Sequence, residues 1–132
     1  MVRAFLDANV LFSAAYRPDA GVRRLWRIAT VHLVTSEYAA EEARRNLDTA
    51  EQRVDLEALL AVLEIAGTPP DRRIPSAPKL PDKDRPILVA AIEARATHLL
   101  SGDVEHFGPY YGRALEGVLI LPPADFFRII SG

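Results

Sequence analysis

The stretch Val2-Arg3-Ala4-Phe5-Leu6-Asp7-Ala8-Asn9-Val10-Leu11 decides how the chain is read. Val2–Leu6 is a short, mostly apolar run and predicts a buried strand. It stops at an acid, Asp7, and the apolar character resumes over Asn9–Tyr16 as a helical segment. With Phe5, Leu6, Val10 and Leu11 around it, the Asp7 carboxylate must be partly buried. No arginine or lysine stands immediately beside it. A buried carboxylate needs a partner, and a cation shared with other acids is one solution.

Beyond this stretch, Arg17-Pro18-Asp19-Ala20-Gly21 reads as a loop. Val22, Leu25, Trp26 and Ala29 then recur at helical spacing. Val31–Val34 is a second strand ending in Thr35-Ser36, and Ser36 is placed to cap the Ala-, Glu- and Arg-rich helix Glu37–Leu47. A further helix covers Gln52–Leu63, with Leu56, Leu59, Leu60 and Leu63 on one face. Glu64–Ala66 reads as a very short strand. Gly67–Pro81 contains Pro69, Pro70, Pro75, Pro78 and Pro81 and reads as an extended connection, since the segment C-terminal to it is too short to fold alone. Arg85–Ala96 is helical, with Pro86 in its first turn, where a missing N–H costs nothing. Thr97–Leu100 and Val118–Leu121 are strands, and Ala124–Ile130 closes as a helix. Strands alternate with helices throughout. That order predicts one α/β domain over residues 1–132, a three-layer α/β/α arrangement around a central parallel sheet.

The 132 residues suit one core. A hydrophobic fraction of 49% with 26% charged residues is ordinary for a globular chain and argues against disorder. The absence of cysteine excludes disulfides, thiolate metal sites and cysteine nucleophiles. Only His32, His98 and His106 are available, which argues against a zinc site built from histidines. A net charge of −2 gives no global basic footprint for nucleic acid. It leaves room for an enzyme that meets a polyanion through a bound cation. No signal peptide is visible, and no apolar run is long enough to span a bilayer. A soluble, cytoplasmic protein is the expectation.

Four acids sit where chemistry collects in such a sheet. Asp7 and Asp103 follow strands, Asp84 opens a helix, and Glu42 lies in the helix after the second strand. Strand carboxyl ends and the following helix starts share one edge, and ligands bind in its crevice. Each acid also has a bland reading. Asp84 could be an N-cap, Asp103 a turn residue, and Glu42 a solvated helix residue beside Glu37 and Glu41. Acids gathered on one edge repel, and a divalent cation relieves that repulsion. Oxygen-only ligation points to Mg²⁺ or Mn²⁺, ions that bind phosphates and activate water for phosphodiester hydrolysis.

At these residues the chain resembles the PIN-domain family, in particular the VapC-like toxin components of toxin–antitoxin pairs. The matching pieces are Phe5-Leu6-Asp7-Ala8-Asn9-Val10-Leu11, then Thr35-Ser36 with Glu42, Asp82-Lys83-Asp84-Arg85-Pro86-Ile87-Leu88 and Leu99-Leu100-Ser101-Gly102-Asp103. The closing strand, its proline and the last helix over Gly117–Phe127 also resemble the family. The resemblance implies a metal-dependent endoribonuclease. Asp7, Asp84 and Asp103 would hold Mg²⁺ or Mn²⁺, and Glu42 would orient or deprotonate the attacking water. Asn9 and Ser101 match positions that brace the site by hydrogen bonds. Asp82 and Glu105 are further candidate supports, and Arg85 is a candidate phosphate contact. RNA as substrate, a small antitoxin lying across the cleft and homodimerisation are implied in the same way. Leu25, Trp26, Phe12 and Tyr16 are candidates for those contacts, set against a plain core role. Ala8 departs from the Thr or Ser common in the family. Helix register decides between Glu41 and Glu42, and the spacing from Ser36 selects Glu42.

Two other classes remain in view. A phosphoacceptor receiver-type domain also clusters acids at strand ends, but it calls for paired acids after the first strand and a lysine after the last; here Asp7 stands alone and Pro122-Pro123 follows the last strand. A PIN-like scaffold without catalysis would have no reason to carry all four acids.

Overall fold

A computed structural model describes residues 1–131. The strands are β1 (Val2–Leu6), β2 (Val31–Ser36), β3 (Glu64–Ala66), β4 (His98–Leu100), β5 (Ala114–Leu115) and β6 (Val118–Leu121). The helices are α1 (Ala8–Tyr16), α2 (Glu37–Asn46), α3 (Ala50–Leu60), α4 (Arg85–Glu93) and α5 (Pro123–Ser131). The sheet runs β3-β2-β1-β4-β6-β5, parallel except for β5. Right-handed crossovers lay α1, α2 and α3, which pack on one another, over one face. They place α4, which packs on β2 and β4, over the other. The result is a three-layer α/β/α domain, as the alternation of strands and helices predicts.

Central strands buried on both faces read as continuous apolar runs. Accordingly Phe5, Leu6, Leu99, Leu100 and Ile120 are fully buried. From β1 the chain moves outward one way through β2 to β3, then returns to start β4 on the other side of β1. The boundary between β1 and β4 is therefore the point where strand order reverses, the place in an open α/β sheet where a crevice opens at the strands' carboxyl ends.

The segment expected at Val22–Ala29 is a short 3₁₀ helix, Gly21–Arg27, rather than an α-helix. The helix expected at Gln52–Leu63 starts two residues earlier, because Thr49 and Gln52 form a capping box. The Pro-rich connection has no regular structure, yet Ile74, Ala77 and Leu80 are buried in the core. Bonds from Ala77 N to Ile74 O and from Leu80 N to Ala77 O wind it into successive turns. The short strand β5 was not anticipated: it is two residues long and forms a hairpin with β6 across Glu116-Gly117, both at positive φ. No helix among the described residues is long and apolar enough to cross a membrane.

Helix α4 ends at Glu93, three residues short of the Ala96 expected from sequence. Arg95 adopts φ 57°, Ala96 N donates to Ala91 O and Arg95 N donates to Ile92 O. This is a Schellman motif with arginine where glycine is usual. A side chain in the left-handed region costs roughly 1–2 kcal/mol, and in a glycine variant the greater freedom of the unfolded chain offsets part of the relief. Arg95→Gly is expected to raise stability by about 0.5–1 kcal/mol in urea denaturation; a loss of stability would show that the Arg95 side chain makes compensating contacts.

Candidate metal centre

Parallel pairing sets Leu6 opposite Leu100, and Asp7 N donates to Leu100 O at 3.0 Å. The residue after β1 therefore lies against the residues after β4. Asp7 caps α1 by accepting from Ala8 N on Oδ1 at 2.7 Å. Its Oδ2 accepts from Ser101 Oγ at 2.8 Å and from Asn9 Nδ2 at 3.1 Å. Asn9 Oδ1 in turn accepts from Gly102 N at 2.7 Å. A Cβ on Gly102 would come within 3.4 Å of that Asn9 oxygen, so a side chain here would press on the group that fastens the turn. Tyr111 closes the other side, its hydroxyl donating to Ser101 O.

Asp84 precedes α4 and is 8% exposed, but its side chain makes no capping bond. The plain N-cap reading of Asp84 is thereby set aside. Tyr38, in the first turn of α2, donates its hydroxyl to Lys83 O and ties this loop to α2. Ser36 caps α2 by accepting from Ala39 N. From that start the helix directs Glu42 into the cleft, while Glu41 turns outward to Arg44. Asp7, Asn9, Phe12, Glu42, Asp84 and Asp103 all line this one cleft, of about 510 Å³, with Lys83 and Asn46 at its rim.

Within the cleft the acids are not equivalent. Ligand atoms of Asp84, Asp103 and His106 lie within 4.8 Å of one another. Asp7 and Glu42 face the same space from outside that triplet. His106 was not singled out in the sequence, where three scattered histidines argued only against zinc. The signal available was its spacing, three residues after Asp103. One turn holds both residues: Asp103 Oδ1 accepts from His106 N at 3.0 Å, and Asp103 O accepts from Phe107 N and Gly108 N. Phe107 is fully buried and anchors the turn. The turn reading of Asp103 thus holds for Oδ1 and leaves Oδ2 for the cleft.

Three expected residues lie outside the cleft. Arg85 is not a cleft residue: it donates to Asp71 and Asp82 and lines a separate hollow with Arg73, Ile74 and Leu80. Those acids hold its guanidinium at the surface. Asp82, with a side chain 93% exposed, is its partner and no support to the site. Glu105 is a surface residue whose carboxylate lies 3.9 Å from His106 Nε2. Among the apolar residues considered for contacts, Leu25 is fully buried in the core. The Trp26 indole is committed to Leu59 O. Phe12 is half-buried against the core and Tyr16 is exposed, with ring centroids 5.3 Å apart.

The electrostatics agree among themselves. Burial pushes the Asp7 carboxyl up from 3.8 to about 6; the bonds from Ser101 and Ala8 oppose this, and the charges of Asp84 and Glu42 add to it. Burial raises Asp84 as well, with Asp103 adding to it and His106 and Lys83 opposing. The phenols of Tyr38 and Tyr111 are raised by burial and then by these same acids. The cleft is a region of negative potential that stabilises protons, and equally any cation.

The buried polar atoms of the triplet show whether these residues suit a divalent ion. His106 Nδ1 stands 2.9 Å from Asp84 Oδ2 and 3.0 Å from Asp103 Oδ2. Yet Nδ1 and Asp84 Oδ2, both buried, make no well-aligned hydrogen bond. Buried polar atoms without partners are rare and costly. A cation among them would satisfy all three atoms, so the residues fit a metal. They differ from the oxygen-only set expected from sequence by one imidazole nitrogen.

A family model described as PIN domain matches residues 3–105. The chain belongs to the PIN-domain family. No curated protein sequence matches it significantly. Its fold is similar to a chain of VapBC2 from Rickettsia felis, solved bound to a DNA fragment from their promoter. That likeness has a TM-score of 0.69 at 14% identity and covers 92% of this chain and 98% of that one. A chain of VapBC-1 from nontypeable Haemophilus influenzae is similar with a TM-score of 0.60 at 15% identity, over 93% and 99% of the two chains. A chain of FitAcB from Neisseria gonorrhoeae is similar with a TM-score of 0.60 at 18% identity, over 92% and 98%. At such identities the likeness is one of fold. In this PIN domain the matched region ends at Glu105, so it includes all four acids and stops one residue before His106.

Asp7 binds its proton more tightly when folded than when unfolded. Stability from this group is therefore greatest below pH 4 and falls as the pH rises through 6, by on the order of 3 kcal/mol. Thermal denaturation of the metal-free protein between pH 4 and 7.5 should show that decline. It should be flattened in Asp7→Asn and opposed at neutral pH by millimolar Mg²⁺ or Mn²⁺. Parallel pH profiles for the two proteins would contradict the electrostatics described.

Proposed function

We propose that this PIN domain is a divalent-metal-dependent endoribonuclease and the toxin of a toxin–antitoxin pair. The observation that carries the reading is the meeting of Asp7, Glu42, Asp84 and Asp103, from four separate segments, in one negative cleft at the sheet's switch point. Buried Asp7 and Asp84, with half-buried Glu42 and Asp103 beside them, gather more like charge than their capping and turn bonds require, and a cation relieves it. Asp84 and Asp103 would hold Mg²⁺ or Mn²⁺. Asp7, whose two oxygens already accept hydrogen bonds, would act across the cleft through water. When bound, the ion supplies an activated water and charge neutralisation for phosphodiester hydrolysis.

The chain's own residues divide the remaining work. Glu42, free of ion pairs among the described residues and facing the cleft, orients the water and accepts its proton. Ser101 and Asn9 keep Asp7 in place, and Lys83 at the rim offers a charge to a phosphate. RNA, rather than DNA, as substrate rests on the family resemblance. So do homodimerisation and a small antitoxin lying across the cleft. The hollow formed by Phe12, Tyr16, Ala20 and Val22 adjoins the cleft through Phe12 and offers such a partner an apolar seat beside a negative one. The likeness in fold to chains of VapBC2 and VapBC-1 supports a partner of this kind.

Purified protein incubated with RNA and Mg²⁺ or Mn²⁺ should cleave internally, and EDTA should stop it. Asp7→Asn, Glu42→Gln and Asp103→Asn should each lower the rate about a hundredfold or more while leaving the fold intact by circular dichroism. Unchanged cleavage by Asp7→Asn and Asp103→Asn would remove the basis for this reading.

A further inference from the structure

We propose that His106 is a nitrogen ligand of the cation held by Asp84 and Asp103, and that this nitrogen makes the site select Mn²⁺ over Mg²⁺. The proposal rests on the reading of this cleft as a metal centre and adds to it a ligand outside the four acids.

Three features of the triplet point the same way. His106 Nδ1 touches both carboxylates at 2.9 and 3.0 Å and is buried, yet makes a well-aligned hydrogen bond to neither. A protonated ring serving only as an ion-pair partner would turn an N–H along one of those directions. A ring with its lone pair on Nδ1 would be repelled by two anions, unless a cation lies among the three atoms. Next, Asp84 is 8% exposed, and its Oδ2 has no well-aligned partner and lies 2.9 Å from Nδ1. Finally, Glu105 Oε1 lies 3.9 Å from Nε2. Metal-binding histidines are commonly oriented by a carboxylate on their second nitrogen. The geometry is also held in place, because one turn, closed by the His106 N to Asp103 Oδ1 bond and anchored by buried Phe107, carries both ligands.

The nitrogen sets the metal preference. Mg²⁺ demands hard oxygen ligands and retains its waters, so it gains little from imidazole. Mn²⁺ stands at the weak end of the transition series and also favours carboxylates, but as a softer ion than Mg²⁺ it gains more from one imidazole nitrogen beside them. His106→Asn exchanges the nitrogen for an amide oxygen at similar reach, a ligand Mg²⁺ accepts as readily.

The experiment uses the full chain, with histidine either unlabelled or labelled with ¹⁵N, loaded with Mn²⁺ and examined by pulsed electron paramagnetic resonance. A nitrogen coupling that changes isotope with the histidine label is expected, and it should be absent in His106→Asn. Calorimetric titration of Mn²⁺ and Mg²⁺ should show the Mn²⁺:Mg²⁺ affinity ratio falling about tenfold or more in His106→Asn. Tight Mn²⁺ binding without histidine coupling would overturn the proposal and leave the nuclease reading standing. Equal weakening of both ions would assign His106 a purely structural role and overturn it also. Failure of the parent protein to bind either ion would overturn both.

Discussion

The parallel pairing of β1 with β4 is the constraint on which the site depends. It sets Leu6 against Leu100 and so brings Asp7 to the Ser101-Gly102-Asp103 turn. The two strands are adjacent in the sheet but lie far apart in the chain. Joining them requires the chain to close a long loop through β2, β3 and the Pro-rich connection, which costs entropy. The connection is itself a packed element. Ile74, Ala77 and Leu80 fasten it to the core, and Asp84 at its end arrives in a defined place rather than on a loose tether.

A second consequence is electrostatic. Asp7 and Asp84 are both buried and both raised, which means that folding works against their ionisation. Proteins tolerate such strain chiefly where it serves a site. The hydrogen bonds from Ala8, Asn9 and Ser101 hold Asp7 in position without cancelling its charge. By contrast Arg85, the residue next to Asp84 in sequence, is diverted to Asp71 and Asp82. Had it reached the cleft, it would have neutralised the acids and competed with any metal. Keeping that arginine on the outside matters to the site as much as bringing the acids in.

The strand ends were legible because apolar runs that stop at an acid are a local signal: β1 with Asp7, and β4 with Asp103 across Ser-Gly. Glu42 could be told from Glu41 because a capped helix start at Ser36 sets the register of the later turns. Other features left no local trace. The two residues of β5 are too few to show a period. The arginine at 95 occupies a left-handed position that usually announces itself with glycine. Asp71 lies in a stretch whose prolines suggest only irregularity, so its hold on Arg85 could not be foreseen. His106 was hidden by its type: counted with two unrelated histidines it argued against zinc, and only the turn joining it to Asp103 gives it a role.

By itself, then, the order of apolar runs, caps and acids determined the α/β class, the place of each central strand in the chain and the choice of four candidate acids. These features arise from period and termination, which act over a few residues. Tertiary structure alone decided which of those acids stand together, that Asp84 and Asp103 share their space with His106, and that Arg85 does not. Such neighbours are set by strand order and side-chain direction in three dimensions, and electrostatic energy depends on separation through space rather than along the chain.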